Sequence, residues 1–167
     1  METYGDTGGA SRFFYCAKAS SSERNAGLEG LYWRRHPLEI ITLEEWEGLN
    51  PKERAEGCIH PTVKPIDLCR WLAKLLLPPE RETPRMLLVP FAGSGSEMIG
   101  AHLAGWDRII GVELEPEYVE IQRRRCAWWA EHGAAGVDTE TVLAEGAARS
   151  EEKAAGQQTL ELWGAEL

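Results

Sequence analysis

Between Met86 and Glu113 the chain sets out a fixed order of residue types that few folds can satisfy. A four-residue apolar run, Met86-Leu87-Leu88-Val89, stops at Phe91-Ala92-Gly93-Ser94-Gly95. Helical periodicity then runs from Ser96 to Ala104 through Met98, Ile99, Ala101, His102 and Leu103. A second run, Arg108 to Glu113, ends in an acid. Apolar runs of this length, bounded by turn residues, suit buried parallel strands. The two glycines let the backbone turn tightly and approach a ligand without Cβ clashes. The helix behind them would offer its free N–H groups to that ligand. An acid about twenty residues past the turn can accept hydrogen bonds from two ribose hydroxyls. The order therefore predicts an α/β unit that cradles a ribose-bearing cofactor. The dinucleotide fingerprint G-x-G-x-x-G fails at Met98, the next glycine being Gly100. A P-loop fails because no G-K-S/T follows the glycines.

Upstream, Pro65 to Leu77 predicts a helix. Pro65 suits its first turn and Pro78-Pro79 ends it, with Ile66, Leu68, Cys69, Leu72, Leu75 and Leu76 on one broad face. These leucines and Trp71 are expected to pack into the core. The loop before the helix, Cys58 to Lys64, is placed to close over the cradle. Thr42 opens T-L-E-E-W, a capping residue with early acids, and Asn50-Pro51 ends the short helix it starts.

With 167 residues and 43% hydrophobic content the chain can build one domain with a real core. No apolar run approaches the roughly 18 to 20 residues of a bilayer helix, and Met1 to Ala10 lacks the regions of a secretory signal. A cytoplasmic protein without membrane contact is the expectation. Cys16, Cys58, Cys69 and Cys126 form no C-x-x-C pair, so buried or incidental thiols are favoured over a disulfide scaffold or zinc knuckle. Cys58 with His60 and His36 is the one cluster of metal-binding types, and its spacing is irregular.

The formal net charge of −9 is uneven: residues 76–167 hold eight Lys or Arg against sixteen Asp or Glu. Unaided nucleic-acid binding normally needs a basic face. The local candidate is Arg12, Lys18, Arg24, Arg34 and Arg35 interleaved with Phe13, Phe14, Tyr15, Tyr32 and Trp33, which could grip phosphates and stack on bases. The plainer alternative, at even odds, is a half-buried strand or two whose charges face water. The organisation reads as an irregular head over 1–57, with a loop from Met1 to Ser11 and a strand over Arg12 to Ala17, then a cofactor unit over 58–132. Residues 133–167 read as an Ala/Gly/Glu-rich linker with nascent helix and a tail.

H-P-T-V-K-P from His60, then a helix, then P-F-A-G-S-G, then G-V-E-L-E-P-E-Y-V-E-I-Q-R-R-R from Gly111, resembles the C-terminal half of the amino-methylating DNA methyltransferases. These S-adenosylmethionine-dependent enzymes modify adenine N6 or cytosine N4. The motif order is similar to their circularly permuted subgroup, common in restriction-modification systems and phages. The similarity covers Tyr4 to His132 and is strongest from His60 to Arg125.

That resemblance implies an α/β fold with a partial Rossmann-like methyltransferase sheet, parallel strands with flanking helices, completed by a partner chain or by self-association. It implies that Phe91, Gly93, Ser94 and Gly95 line S-adenosylmethionine, that Glu113 holds the ribose and that Leu114 flanks the adenine. Thr62 and Lys64 would meet the methionine end, where an ammonium suits the carboxylate, while His60 orders its own loop. Two departures stand out. Val89 occupies the position where the family carries Asp. No D-P-P-Y, N-P-P-Y or S-P-P-Y occurs in the 167 residues, although the family uses that motif to hold a flipped-out base. The head resembles sequence just upstream of this region in phage members, so the chain is expected to belong to a larger architecture. A partner polypeptide carrying the catalytic motif, or a homo-oligomer, is expected, with double-stranded DNA as substrate; a truncated, inactive binding or regulatory protein is the alternative. Gln157, Leu160, Leu162 and Trp163 look like the short peptides that dock on the replication sliding clamp. Their packing back onto the body is slightly preferred.

Overall fold

The computed structural model describes residues 18–134, 137–149 and 151. The loop and strand expected over 1–17, with Arg12, Phe13, Phe14 and Tyr15, and the tail over 157–163 lie outside these residues. Among the described residues the fold is mixed α/β: six helices, a three-stranded antiparallel sheet and a two-stranded parallel sheet packed against helices.

Helix α1 (Ser21–Asn25) starts from a capping box in which Ser20 and Glu23 satisfy each other's backbone N–H groups. Strands β1 (Tyr32–Arg35) and β2 (Leu38–Ile41) pair antiparallel, and after α2 (Leu43–Gly48) strand β3 (Arg54–Glu56) joins the other edge of β1. Thr42 caps α2 as the sequence predicts, with Glu45 completing the box. Trp33 anchors this head sheet. Its ring is fully buried with Leu28, Leu31, Ala55 and Ile121, and its indole N–H donates to the Gly57 carbonyl at 2.9 Å.

Helix α3 (Ile66–Leu76) leads to β4 (Met86–Val89), α4 (Ser96–Ala104), β5 (Arg108–Gly111) and α5 (Pro116–His132), and a last helix, α6, covers 139–149. Strands β4 and β5 pair parallel, Met86 opposite Arg108 and Val89 opposite Gly111. The Arg85 guanidinium grips both Asp107 carboxylate oxygens at 2.9 Å where the two strands begin. That fork holds the Asp107 carboxyl down at about 2. Helix α4 covers one sheet face, and α3 lies against α4 so closely that a Cβ on Gly100 would stand 2.5 Å from Cys69 Cβ and 2.6 Å from the Arg70 nitrogen.

That closeness overturns the expected burial of the α3 leucines. The helix buries Ile66, Cys69 and Ala73, and the small Cys69 faces Gly100 of α4, because only small residues let two backbones approach so nearly. Trp71, Leu72, Leu75 and Leu76 consequently point away and are 46% to 68% exposed. Among the described residues nothing packs on the other face of the parallel sheet, where Met86, Leu88, Ile110 and Val112 are 39% to 60% exposed. Parallel sheets are normally covered on both faces. At that exposure the four side chains retain about 4 kcal/mol of unrealised burial.

Two buried clusters tie the chain together through α5. Ile121 joins the head cluster around Trp33, while Trp129, two turns on, joins Ala26, Ile66, Ile99, Leu103 and Val142. Val142 belongs to α6, so residues expected to form a linker contribute to the core. Thr139 also donates to Asp67, and Arg70 donates to the Val137 carbonyl at 2.5 Å. None of the helices among the described residues is long and apolar enough to cross a membrane.

Candidate functional site

Where β4 ends, the chain enters the glycine turn with Gly93 at φ +51° and Gly95 at φ +79°, backbone conformations that residues with a Cβ rarely adopt. Space excludes a side chain as well. A Cβ on Gly93 would lie 2.8 Å from His60 Nε2, and one on Gly95 would lie 3.0 Å from Cys126 Sγ. The turn is therefore pressed between the loop before α3 and helix α5, and Gly95 forms the N-cap of α4.

Glu113 organises the open side of this turn. Its carboxylate accepts from the Gly93 N–H at 2.8 Å, from Leu114 at 2.8 Å and from Glu115 at 3.1 Å. The Glu115, Gly93 and Leu114 amides hold its carboxyl below the usual carboxylate range. It is thus ionised, and a carboxylate's roughly four lone-pair sites leave it one for a further donor. On the other side, His60 stands edge-on to Tyr118 of α5 with ring centres 4.4 Å apart. His60 Nδ1 accepts from the Thr62 N–H at 3.2 Å, which puts the proton of the neutral ring on Nε2. Burial, aided by Lys64 and Arg125 against the opposing pull of Glu113 and Glu97, lowers its pKa and favours that neutral form.

A cavity of about 260 Å³ opens between these walls, lined by His60, Thr62, Lys64, Gly93, Glu97 and Glu113 among others. Of the residues singled out in the sequence, Thr62, Lys64, Phe91, Gly93, Ser94 and Glu113 meet there. Gly95 lies beneath, as the start of α4, and Leu114 follows β5 beside the mouth. Phe91 and Leu114 are both 87% exposed. Lys64 Nζ forms an ion pair with Glu97 at 2.6 Å.

Two contributors escaped the sequence reading. Glu97 and Arg125 were not singled out in the sequence. Arg125, in the run Arg123-Arg124-Arg125, is fully buried and donates to the Ser94 carbonyl at 2.6 Å, to Ser96 Oγ at 3.3 Å and to the Glu23 carbonyl at 3.1 Å. The signal was present in its spacing: Ile121, Arg125 and Trp129 recur every four residues on the buried face of α5.

The alternative sites look different. Trp33 is in the core and Arg34 pairs with Glu39 at 2.9 Å, as in the reading of half-buried strands with charges facing water. Tyr32 leans on Trp46, and Arg24 reaches the His60 carbonyl. Cys69 and Cys126 are thiols pushed up by burial to about 12 and about 11. No group of three or more metal-ligating side chains occurs among the described residues. Compared with protein-family models, curated proteins and solved structures, the chain gives no match.

Proposed function

We propose that the chain is the S-adenosylmethionine-binding half of a DNA amino-methyltransferase acting on adenine N6 or cytosine N4 of double-stranded DNA. The observation that carries this reading is the cradle itself: a glycine turn closed by an ionised acid, with a lysine opposite and two uncovered apolar side chains at the strand ends. The residues present fit the cofactor. Glu113 would accept from one ribose hydroxyl, Phe91 and Leu114 would cover the adenine, and Lys64 would face the methionine carboxylate. When bound, the cofactor supplies a methyl group activated by a sulfonium. The protein's part is to orient it and exclude water, with neutral His60 wedged against Gly93 to hold the closing loop in place. Val89 is buried at the end of β4, so no polar side chain reaches the cradle from that position.

Isothermal calorimetry tests the cradle directly. The chain is expected to bind S-adenosylmethionine, and Glu113→Ala is expected to weaken binding about thirty-fold, the equivalent of a hydrogen bond to a charged group. Saturating ligand without heat or thermal shift would overturn the reading.

Chemistry requires a D-P-P-Y type motif that these 167 residues lack. Among the described residues one face and both edges of the β4–β5 sheet are free, which favours completion by a second polypeptide that brings more strands. Mixing the chain with a partner that carries the motif is expected to give methyl transfer to double-stranded DNA. Leu88→Asp on the bare face is expected to abolish transfer while leaving cofactor binding intact. A chain that binds the cofactor yet supports no transfer with such a partner would instead be a binding or regulatory protein, the reading that the missing motif favours.

A further inference from the structure

The Lys64–Glu97 pair lies in the mouth of the cradle, not at its back, and its chemistry is that of an amino acid's partner set. Lys64 is half-exposed and Glu97 one-third exposed. An ion pair so open to water contributes little, so it can be exchanged for other partners at small cost. Both side chains line the same cavity as Glu113 and the Gly93 turn. Glu97 stands in the first turn of α4, where the helix dipole favours a carboxylate.

A helix that begins after a glycine turn ordinarily attracts anions such as phosphates. Here a carboxylate occupies that position. The charged groups facing the cavity are one lysine and two acids, Glu97 and Glu113, with His60 held toward its neutral form. Their balance is one negative charge, which disfavours a phosphate-bearing ligand and suits one with a net positive charge.

We infer that Glu97 is the specificity-determining acid of the cradle: it accepts the ammonium of the ligand's amino-acid end while Lys64 takes the carboxylate, the two residues exchanging each other for a zwitterion. The inference rests on the cofactor reading above and adds the residue that selects an amino-acid-bearing nucleoside. The acid comes from α4, since the end of β4 presents only buried Val89.

The test compares two neutral thioethers that differ in the amino-acid end, S-adenosylhomocysteine and methylthioadenosine, by calorimetry on the full chain. The native chain is expected to favour S-adenosylhomocysteine strongly. Glu97→Gln, nearly isosteric and partly exposed, is expected to weaken S-adenosylhomocysteine about ten-fold, the loss of one charge-assisted hydrogen bond. Methylthioadenosine should bind the variant as it binds the native chain, which also shows that the variant is folded. Lys64→Gln is expected to behave in the same way. Equal binding of the two ligands by the native chain, an unchanged preference in Glu97→Gln, or a parallel loss of both ligands would overturn the inference and leave the cofactor reading standing. Binding of neither ligand by the native chain would remove the cofactor reading and the inference with it.

Discussion

Replacing Arg125 by leucine is expected to lower the unfolding free energy by about 3 kcal/mol, because three buried acceptors lose their donor together and each costs about 1 kcal/mol or more when unsatisfied. The acceptors are the Ser94 carbonyl, Ser96 Oγ and the Glu23 carbonyl. Some of the loss is recovered, since burial already penalises the guanidinium and lowers its pKa. The buried Glu23 carboxylate decides the sign. It accepts the Ile66 and Ser20 amides, and in the leucine variant it would lose the nearby cation. Arg125→Lys keeps the charge but cannot fork to three acceptors, so it is expected to fall between native and leucine. Denaturant unfolding measures both variants, and a midpoint unchanged in Arg125→Leu would show that the network contributes nothing net. Because Ser94 belongs to the glycine turn, the leucine variant is also expected to lose affinity for the proposed cofactor.

The second large effect lies where α3 meets α4. Gly100→Val places methyl groups into the Cys69 and Arg70 backbone, atoms that cannot swing aside as a side chain could. The helices must separate, and overpacking of this kind typically costs about 3 kcal/mol. Gly100 lies in the helical region, so no backbone strain enters and the whole effect is steric. Gly100→Ala is expected to show most of the loss, since its Cβ alone already stands 2.5 Å from Cys69 Cβ. The paired variant Gly100→Ala with Cys69→Gly should recover little of it, because the Arg70 nitrogen and the Cys69 carbonyl carbon still stand 2.6 Å away, with thermal unfolding as the measurement. Full recovery would show that the Cys69 Cβ alone carries the clash.

The parts that could be read from the residues share a property. Met86–Val89, Ser96–Ala104 and the capped start of α2 are specified locally, by a short apolar run, a glycine turn or a capping pair, and they form where expected. The head sheet was not legible. Its strands are three or four residues long, β2 has no buried residue to produce alternation, and β1 carries two arginines. What holds it is Trp33 reaching Leu28, Ala55 and Ile121 across distant parts of the chain. Periodicity found the apolar stripe of α3 but could not say which side faces α4, because that choice depends on Gly100, thirty residues away. Of the eight cradle residues, Phe91, Gly93 and Ser94 meet in the cavity through local spacing, whereas Thr62, Lys64 and Glu113 come from twenty to thirty residues away and were named only through the family resemblance or the acid-after-turn pattern. Glu97 and Arg125 were missed since a charged side chain's partner is a tertiary fact.

The side of β4 and β5 that the described residues leave uncovered would give the chain's stability a dependence on composition. If the proposed partner covers Met86, Leu88, Ile110 and Val112, the free energy left in them is released on association, and folding and association are then linked by mass action. A melting temperature measured on the chain alone would be a lower bound, and a covering partner at a hundred times its dissociation constant would add about 2.7 kcal/mol. Stability in such a complex would read how much of the partner is present.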